Sequence, residues 1–389
     1  MIWGAEERKV FGVGLGGDSR ASKAWLDLTR ADLERGCDEL GVPRIHARTL
    51  IRNTYRLGRD EPWADRSIPA VLARALVERH PLARPVVREV RRSEVDGSVK
   101  LLVGVGGSEA ADEGAPPAGD IAGDQAEAVL IPEAARVTLC VSSQIGCAQG
   151  CVFCHTGRMG LVRNLRTGEI VGQLVAANGW LARNAGWLAA RGFGAEQRVT
   201  NVVFMGMGEP LDNVDAVSDA IAILVDPAGA AIPLRRITLS TAGHLEGLET
   251  LVARWPRVPI ALSLHSVDER TRSGLMPITE RWSLAAITER LARLCVEQRQ
   301  PIFVQYTLFA GVNDSPTHAD ALAAWCQALP QVKVNLIPFN PFPGSRLSAP
   351  DEATVARFRT ALHAAGLRVM RRHSKGPDIA AACGQLAFR

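Results

Sequence analysis

The spacing of apolar and polar positions changes along the chain. From Ala21 to about Arg79, apolar residues recur at helical spacing, as in WLDLTRADLERGCDEL and SIPAVLARALVERH. This predicts a small helical accessory domain over residues 22–84. The next segment, PVVREVRRSEVDGSVKLLVGV, alternates apolar and polar residues around Asp96-Gly97. An Asp-Gly pair between alternating runs is a strong hairpin signal, so a β-hairpin extension is expected over residues 85–105.

Two segments contain little that could pack. Residues 1–21 are rich in glycine and charge, and they are expected to form a flexible tail. Residues 106–126, GGSEAADEGAPPAGDIAGDQA, are almost all small or acidic, which predicts a disordered insertion. Ordered structure is expected to resume at EAVLIP, so that a large domain occupies residues 127–389.

From Arg136 onward, short β-rich runs alternate with amphipathic helical segments. The strand candidates are RVTLCVS, TNVVFMG, RRITLST, VPIALSL, PIFVQYTL and VKVNLIP, and LRVMRR is a candidate edge strand. Helical patterns such as SLAAITERLARLCVEQ lie between them. This alternation predicts a parallel sheet, either doubly wound or closed into a barrel.

Polar or glycine-rich residues follow each of these strands. The positions are the cysteine loop, Gly206-Met207-Gly208-Glu209-Pro210, Ser240, Ser263-Leu264-His265, Gly311-Val312-Asn313-Asp314 and Pro338-Phe339-Asn340. In a parallel barrel these strand ends meet on one face, where such folds build active sites. The expected fold is therefore α/β, a partial parallel (β/α)6-type barrel with one mouth.

Composition narrows the class of protein only a little. The chain has 389 residues, of which 47% are hydrophobic, and we find no apolar run of 18 residues and no signal peptide. We therefore expect a cytoplasmic protein without a membrane partner, in which thiols stay reduced. Eight cysteines in that setting indicate metal or redox chemistry. A net charge of +4 is compatible with an RNA partner but does not argue for one.

Three cysteines crowd one loop, CAQGCVFC, at positions Cys147, Cys151 and Cys154. One interpretation is a zinc site completed by Cys140 or His155, although structural zinc sites usually pair two short CxxC-like clips. The alternative is a [4Fe–4S] cluster, in which three protein thiolates leave one iron free to bind a small molecule. We favour the cluster because the loop lies in a glycine-rich strand-end context.

The cysteine loop after the first barrel strand, followed by GMGEP, resembles the radical S-adenosylmethionine (radical SAM) superfamily. More narrowly, LCVSSQIGC, RNL, GMGEPLDN, ALSLH, NLIPFNPFPG and DIAAACGQL resemble the RNA adenine C2 methyltransferase family, the RlmN and Cfr group. The resemblance covers about residues 24–389, apart from the insertion. It implies a radical SAM barrel and an enzyme that methylates RNA.

The resemblance also implies roles for particular residues. Cys147, Cys151 and Cys154 would ligate the cluster, and SAM would chelate the fourth iron. The SAM-binding positions would be Gly208, Glu209, Ser240, Ser263, Leu264, His265 and Asn340. Glu209 suits this role physically, because a carboxylate accepts hydrogen bonds from the SAM ammonium group.

Three further residues would carry the chemistry. Cys383 matches the family cysteine that becomes S-methylated, Cys140 matches its resolving partner, and Glu127 matches the proposed proton acceptor. In the family mechanism one SAM methylates Cys383, and a second yields a radical that takes hydrogen from the S-methyl group. The carbon radical adds to adenine, and Cys140 then releases the product as a disulfide forms with Cys383.

The implied reaction is methylation of C2 of an adenosine in 23S rRNA, with a tRNA anticodon-loop adenosine as a second candidate substrate. Cfr-like methylation at C8, or a non-methylating iron–sulfur protein that binds RNA or carries electrons, stays open. Expected partners are RNA and an external electron donor such as flavodoxin or ferredoxin, with the protein a monomer. Candidates for RNA contact are Arg158, Arg163, Arg166, Arg371, Arg372 and Lys375, although a solvated charged face is the usual reading.

Overall fold

The computed structural model describes residues 23–105, 125–194 and 198–387. The predicted tail and residues 106–124 of the predicted insertion lie outside this part of the chain. The insertion was predicted to end at residue 126, but residues 125 and 126 already belong to a strand, Gln125–Glu133. The predicted boundary is therefore wrong by two residues. They pair with Gly104 and Val103, so the ladder of the preceding strand holds them in place.

Ten of the twelve strands in the described residues form one sheet. The strands are β1 (Val86–Arg92), β2 (Val99–Gly104), β3 (Gln125–Glu133), β4 (Arg136–Cys140), β5 (Gln144–Gly146), β6 (Leu161–Asn164), β7 (Asn201–Phe204), β8 (Ile237–Thr241), β9 (Ile260–Ser263), β10 (Ile302–Leu308), β11 (Val332–Pro338) and β12 (Val369–Arg371). The order in the large sheet is β1-β2-β3-β4-β7-β8-β9-β10-β11-β12, and β5 pairs with β6 separately.

From β4 to β12, the strands of this sheet are parallel to one another. They include all six strand candidates of the sequence, and LRVMRR supplies the edge strand β12. The carboxyl ends of these strands point the same way, as the partial parallel barrel required. Strand β10 is buried along almost its whole length, as expected of a parallel strand covered on both faces.

The hairpin extension is continuous with the barrel sheet. Strands β1 and β2 are antiparallel, and β3 joins them to β4 by two further antiparallel pairings. At the hairpin turn Gly97 has φ +72°, and the backbone N–H of Ser98 donates to Asp96 Oδ1 at 2.9 Å. The left-handed backbone at this turn explains the glycine.

Twelve α-helices lie in the described residues, and those from α5 onward make the crossovers between the parallel strands. They are α1 (Arg30–Glu39), α2 (Ile45–Ile51), α3 (Ala70–Arg79), α4 (His155–Arg158), α5 (Thr167–Arg183), α6 (Ala185–Ala190), α7 (Val214–Val225), α8 (Leu245–Arg254), α9 (Glu269–Leu275), α10 (Leu284–Gln298), α11 (Pro316–Gln327) and α12 (Glu352–Ala364). Several begin at a residue whose side chain accepts a backbone N–H of the first turn, such as Thr29, Asp268, Ser283 and Asp351. None of the helices in the described residues combines the length and apolar character needed to cross a bilayer.

Helices α1 to α3 pack around their own apolar core, which includes Trp25, Leu50 and Leu72. The polar contacts that attach this unit to the barrel include a hydrogen bond and an ion pair. Asp27 Oδ1 accepts the backbone N–H of Gly168 at 2.5 Å, at the start of α5, and Arg30 forms an ion pair with Asp226. The charged side chains therefore meet where the two apolar cores adjoin.

Candidate active site

A cavity of about 170 Å³ lies at the carboxyl ends of the parallel strands. Ten of the thirteen residues expected at the site line it. They are Cys147, Cys151, Cys154, Gly208, Glu209, Ser240, Ser263, His265, Asn340 and Cys383. A second cavity of about 50 Å³ is lined by Cys140, and Cys383 and Asn340 lie in the walls of both cavities. Leu264 and Glu127 line neither.

The cysteine loop, which connects β5 to α4, is held in place by backbone hydrogen bonds. The N–H of Cys147 donates to the carbonyl of Gly160 at 2.9 Å, and the N–H of Val152 donates to Leu275 at 3.1 Å. A Cβ at Gly146 would lie 1.9 Å from the Gly160 carbonyl oxygen, so only glycine allows this close approach. The loop therefore presents its thiols from a fixed backbone.

The donor set fits an iron–sulfur cluster. Burial and the neighbouring Cys154 thiolate together raise the pKa of Cys147 to about 12, and burial also raises the pKa of Cys154, so both sulfurs need a cation to stay ionised. The pKa of Cys151 is raised by burial and by the thiolates of Cys154 and Cys147. Within the described ranges, no three side chains of the metal-binding types approach closely enough to enclose a single ion. Three thiolates on one loop suit a centre whose protein ligands each bind a different iron.

Glu209 joins the ends of β7 and β8 below the cavity. Its Oε1 accepts the N–H of Leu211 at 3.1 Å, and its Oε2 accepts the N–H of Ala242 at 2.8 Å. Burial raises the pKa of Glu209 to about 7. The preceding Gly208 has φ +98°, and a Cβ there would lie 2.6 Å from the Gln144 side chain. The site thus holds a fixed carboxylate whose charge a bound ammonium group would stabilise.

His265 is an uncharged hydrogen-bond donor in the cavity wall. Its Nδ1 accepts the backbone N–H of Thr307 at 2.9 Å, so the ring proton lies on Nε2. Burial lowers the pKa of His265 to about 3. Its backbone is left-handed, with φ +58°, and Asn313 Nδ2 donates to its carbonyl at 2.7 Å. Strained backbone of this kind at a cavity is typical of functional sites.

The remaining expected SAM-binding residues behave differently from one another. The hydroxyl oxygens of Ser240 and Ser263 lie 3.3 Å apart in the cavity wall. Asn340 Nδ2 donates to the carbonyl of Cys383 at 3.2 Å. Leu264 is fully buried away from the cavity, and its backbone N–H donates to Gln305 at 3.0 Å. Leu264 therefore supports the strand end without forming part of the wall.

The segment that carries Cys383 is docked against the cysteine loop. The N–H of His155 donates to the carbonyl of Gly384 at 2.7 Å, and the Thr156 hydroxyl donates to the carbonyl of Leu386 at 2.6 Å. Cys383 is exposed, whereas Cys140 is buried. Burial and the Cys383 thiolate raise the pKa of Cys140 to about 12, although the charge of Arg372 acts in the opposite direction. Cys383 thus lies between the loop of the cluster cysteines and Cys140.

The hairpin tip holds the same C-terminal segment from the other side. The Ser93 hydroxyl donates to Asp378 Oδ1 at 2.7 Å, and the Glu94 N–H donates to Asp378 Oδ2 at 3.1 Å. The N–H of Gly376 donates to Asp96 Oδ2 at 3.0 Å. Sequence reasoning missed this hairpin latch (Ser93, Glu94 and Asp96 on Gly376 and Asp378). The Asp-Gly turn marked the hairpin, but nothing in the sequence marked its distant partner.

Glu127 lies behind the C-terminal segment. Its Oε1 forms an ion pair with Lys100 Nζ at 2.8 Å, and Lys100 also donates to the carbonyl of Ala380 at 3.3 Å. Burial raises the pKa of Glu127 despite the Lys100 charge. Its Oε2 is buried without a hydrogen-bond partner among the described residues. The structure therefore does not bring Glu127 to the wall of either cavity.

The six basic candidates for RNA contact divide into two groups. Arg163 and Arg166 form ion pairs with Glu169, and Arg371 forms one with Glu352. Arg158 donates to the carbonyl of Gly344 at 2.9 Å. The two that line the smaller cavity, beside Cys383, are Arg372 and Lys375.

Comparison with known proteins agrees with this geometry. The model of the radical SAM superfamily matches residues 141–322, which include the cysteine loop and the strands as far as β10. A crystal structure of a radical SAM methyltransferase from Sphaerobacter thermophilus has a TM-score of 0.78 and 35% sequence identity, and the match covers 93% of this chain and 98% of that one. The fold and the site are those of a radical SAM enzyme.

Relatives of known name narrow the class. The dual-specificity RNA methyltransferase RlmN of Syntrophobacter fumaroxidans is 37% identical over 361 residues, covering 92% of this chain and 96% of that protein. The protein of the same name from Desulfotalea psychrophila is 46% identical over 261 residues, covering 67% of this chain and 70% of that protein. This chain belongs to the RlmN family of radical SAM RNA methyltransferases. The family expected from the motifs is confirmed, and with it the [4Fe–4S] cluster and SAM as cofactors.

Proposed function

We propose that this enzyme methylates C2 of an adenosine in 23S rRNA, and of a tRNA adenosine as a second substrate, through S-methylcysteine at Cys383. The main support is that Cys383 lines two cavities, one with the three loop cysteines and one with Cys140. The name of these relatives, dual-specificity RNA methyltransferase, supports two RNA substrates.

Cofactor binding is assigned to the larger cavity. Cys147, Cys151 and Cys154 would hold the cluster, and Glu209 would accept the ammonium group of SAM while His265 donates from Nε2. When bound, the reduced cluster supplies the electron for cleavage of SAM. A flavodoxin or ferredoxin is the proposed source of that electron, and the enzyme is proposed to act as a monomer in the cytoplasm.

Two SAM molecules are used in each turnover in this proposal. The Cys383 thiolate accepts the methyl group from the first, because an exposed thiolate is a good nucleophile. The second is consumed in activating that methyl group for addition to C2 of the adenine. The Cys140 thiolate then attacks the Cys383 sulfur and forms the disulfide, while the electron pair of the broken sulfur–carbon bond stays with the product carbon, which takes up a proton to become the methyl group. The charge of Arg372 favours the Cys140 thiolate in this step.

Glu127 is the proposed acceptor of the proton that leaves C2. Its raised pKa suits a group that must hold a proton once it has taken it. Because the segment around Ala380 covers Glu127 and Lys100, that segment has to move before Glu127 can reach the substrate. Arg372 and Lys375 are proposed to contact RNA phosphates beside the cavity, with the adenine drawn out of its stack.

The test uses cysteine variants and mass spectrometry. Cys140→Ala is expected to copurify with covalently attached RNA, and Cys383→Ala is expected to lose methyl transfer while keeping the cluster absorption. Cys326→Ala, at a buried core cysteine, is the matched control and is expected to retain activity. Wild-type turnover in Cys140→Ala would contradict the resolving role. Digested RNA is expected to contain 2-methyladenosine, and 8-methyladenosine in its place would assign the Cfr reaction instead.

A further inference from the structure

Arg272, on α9, is a completely buried cation that sequence reasoning did not single out. Among the described side chains that have almost no exposed surface, that of Arg272 is the largest. Its Nε donates to the Leu264 carbonyl at 3.2 Å and its Nη1 to Thr279 Oγ1 at 2.6 Å. Its Nη2 donates to the carbonyls of Ala242 at 2.6 Å and Ser263 at 3.3 Å. All four acceptors are uncharged. The nitrogens of Arg272 therefore have hydrogen-bond acceptors, but none of these acceptors carries a negative charge to balance the guanidinium.

Nothing in the described part of the chain neutralises this charge by direct contact, because no carboxylate oxygen there lies within 4.0 Å of the guanidinium nitrogens. Arg290 on α10 shows the usual arrangement, since it is also buried but forms ion pairs with Glu249 and Glu297. An unpaired buried charge is costly. A protein that keeps Arg272 buried therefore needs a source of negative charge close by.

The cysteine loop is that source. The carbonyl of Leu275, at the end of α9, accepts the N–H of Val152 from the loop at 3.1 Å. Cys151 packs in one apolar cluster with Leu275 and Met276. Ala242, whose carbonyl accepts a hydrogen bond from Nη2 of Arg272 at 2.6 Å, belongs to the same apolar cluster. The guanidinium is thus bonded to a residue of the apolar cluster that contains Cys151, and burial lowers the pKa of Arg272 to about 10.

We propose that Arg272 is the fixed counter-charge of the iron–sulfur cluster and that it favours the one-electron reduction of this cluster. Reduction adds one negative charge to the cluster and its thiolates, and a cation in the low-dielectric interior stabilises the reduced form more than the oxidised form. This inference rests on the assignment of Cys151 as a cluster ligand. By bonding to Ala242, Ser263 and Leu264, Arg272 also joins the ends of β8 and β9, so its charge is held at a constant position.

The test is a redox titration of the reconstituted enzyme, followed by electron paramagnetic resonance. Arg272→Gln is expected to lower the ratio of reduced to oxidised cluster about tenfold at a fixed donor potential, which corresponds to a midpoint potential about 59 mV lower for a one-electron couple. Arg272→Lys keeps the charge and is expected to stay near the wild-type potential. Arg290→Gln, which removes an arginine already neutralised by two glutamates, is the matched control and is expected to leave the potential unchanged.

A second pair of variants tests the charge without removing Arg272. Thr279→Asp places a carboxylate on the guanidinium and is expected to lower the potential as Arg272→Gln does, whereas the isosteric Thr279→Asn is expected not to. A wild-type potential in Thr279→Asp with full iron content would overturn the proposal, and so would equal shifts in the two Thr279 variants. The iron content of Cys151→Ala tests the ligand assignment separately from the role of Arg272. A full cluster in this variant would show that Cys151 is not a ligand, and the proposal for Arg272 would fail with that assignment.

Discussion

The buried ion pair of Lys100 and Glu127 allows a quantitative prediction. The two side chains are 6% and 3% exposed, and Lys100→Met removes the amine while keeping an unbranched chain of similar length. Removing one partner of a buried pair costs about 3–5 kcal/mol when the other charge stays unpaired. Glu127 can escape this cost by taking up a proton. Each pH unit above its ordinary value of 4.5 makes that protonation about 1.36 kcal/mol more expensive.

The loss in Lys100→Met should therefore depend on pH in a defined direction. Burial already raises the pKa of Glu127 above 4.5 in the wild type, so ionised Glu127 weakens the fold as pH rises through that window. Loss of Lys100 raises this pKa further and extends the window upward. The electrostatic part of the loss has a ceiling of about 0.7 kcal/mol at pH 5 and about 3.4 kcal/mol at pH 7.

Urea denaturation of the anaerobic holoenzyme at pH 5 and pH 7 measures this difference in the free energy of unfolding. The double variant Lys100→Met/Glu127→Gln should recover most of the pH-dependent loss, because the amide needs no proton to become neutral. Lys333→Met, at a lysine over the Phe303 ring, is the control for losing a lysine elsewhere. A loss equal at both pH values, or below about 1 kcal/mol at pH 7, would refute the electrostatic reasoning.

SAM affinity, measured by calorimetry, should rise from pH 6 to pH 8, because Glu209 must lose its proton near pH 7 to accept an ammonium group. Glu209→Gln should bind SAM weakly at every pH. A wild-type affinity that does not change with pH would contradict the proposed role of Glu209 in SAM binding. Asp378→Ala should weaken the hairpin latch by at least one charged hydrogen bond, which is worth about 1.5 kcal/mol. S-methylation of Cys383 should therefore be about tenfold slower, while the iron content stays unchanged. Peptide mass spectrometry measures that rate, and Glu352→Ala, which breaks an exposed ion pair with Arg371, should leave it unchanged.

Local patterns carried most of the fold. The alternation of strands and helices placed all six barrel strands and the edge strand, because burial on a parallel sheet demands apolar runs at regular intervals. The boundary at residues 125 and 126 was wrong because a polar glutamine and an alanine carry no strand signal, and only pairing with β2 makes them a strand. Leu264 shows the same limit, since its neighbours Ser263 and His265 line the cavity while Leu264, just beyond the end of β9, is buried away from it.

By itself the sequence determined which residues stand at the strand ends and how the three loop thiols are spaced, because both are set by positions a few residues apart. Tertiary structure alone decided that Cys383 lies between Cys140 and the cysteine loop, that the hairpin tip binds Asp378, and that Arg272 is buried with no carboxylate partner among the residues the structure describes. These contacts join segments far apart in the chain. Their energies depend on burial and on the distance between charges. Neither quantity repeats at a regular spacing along the chain, so a sequence pattern cannot predict it.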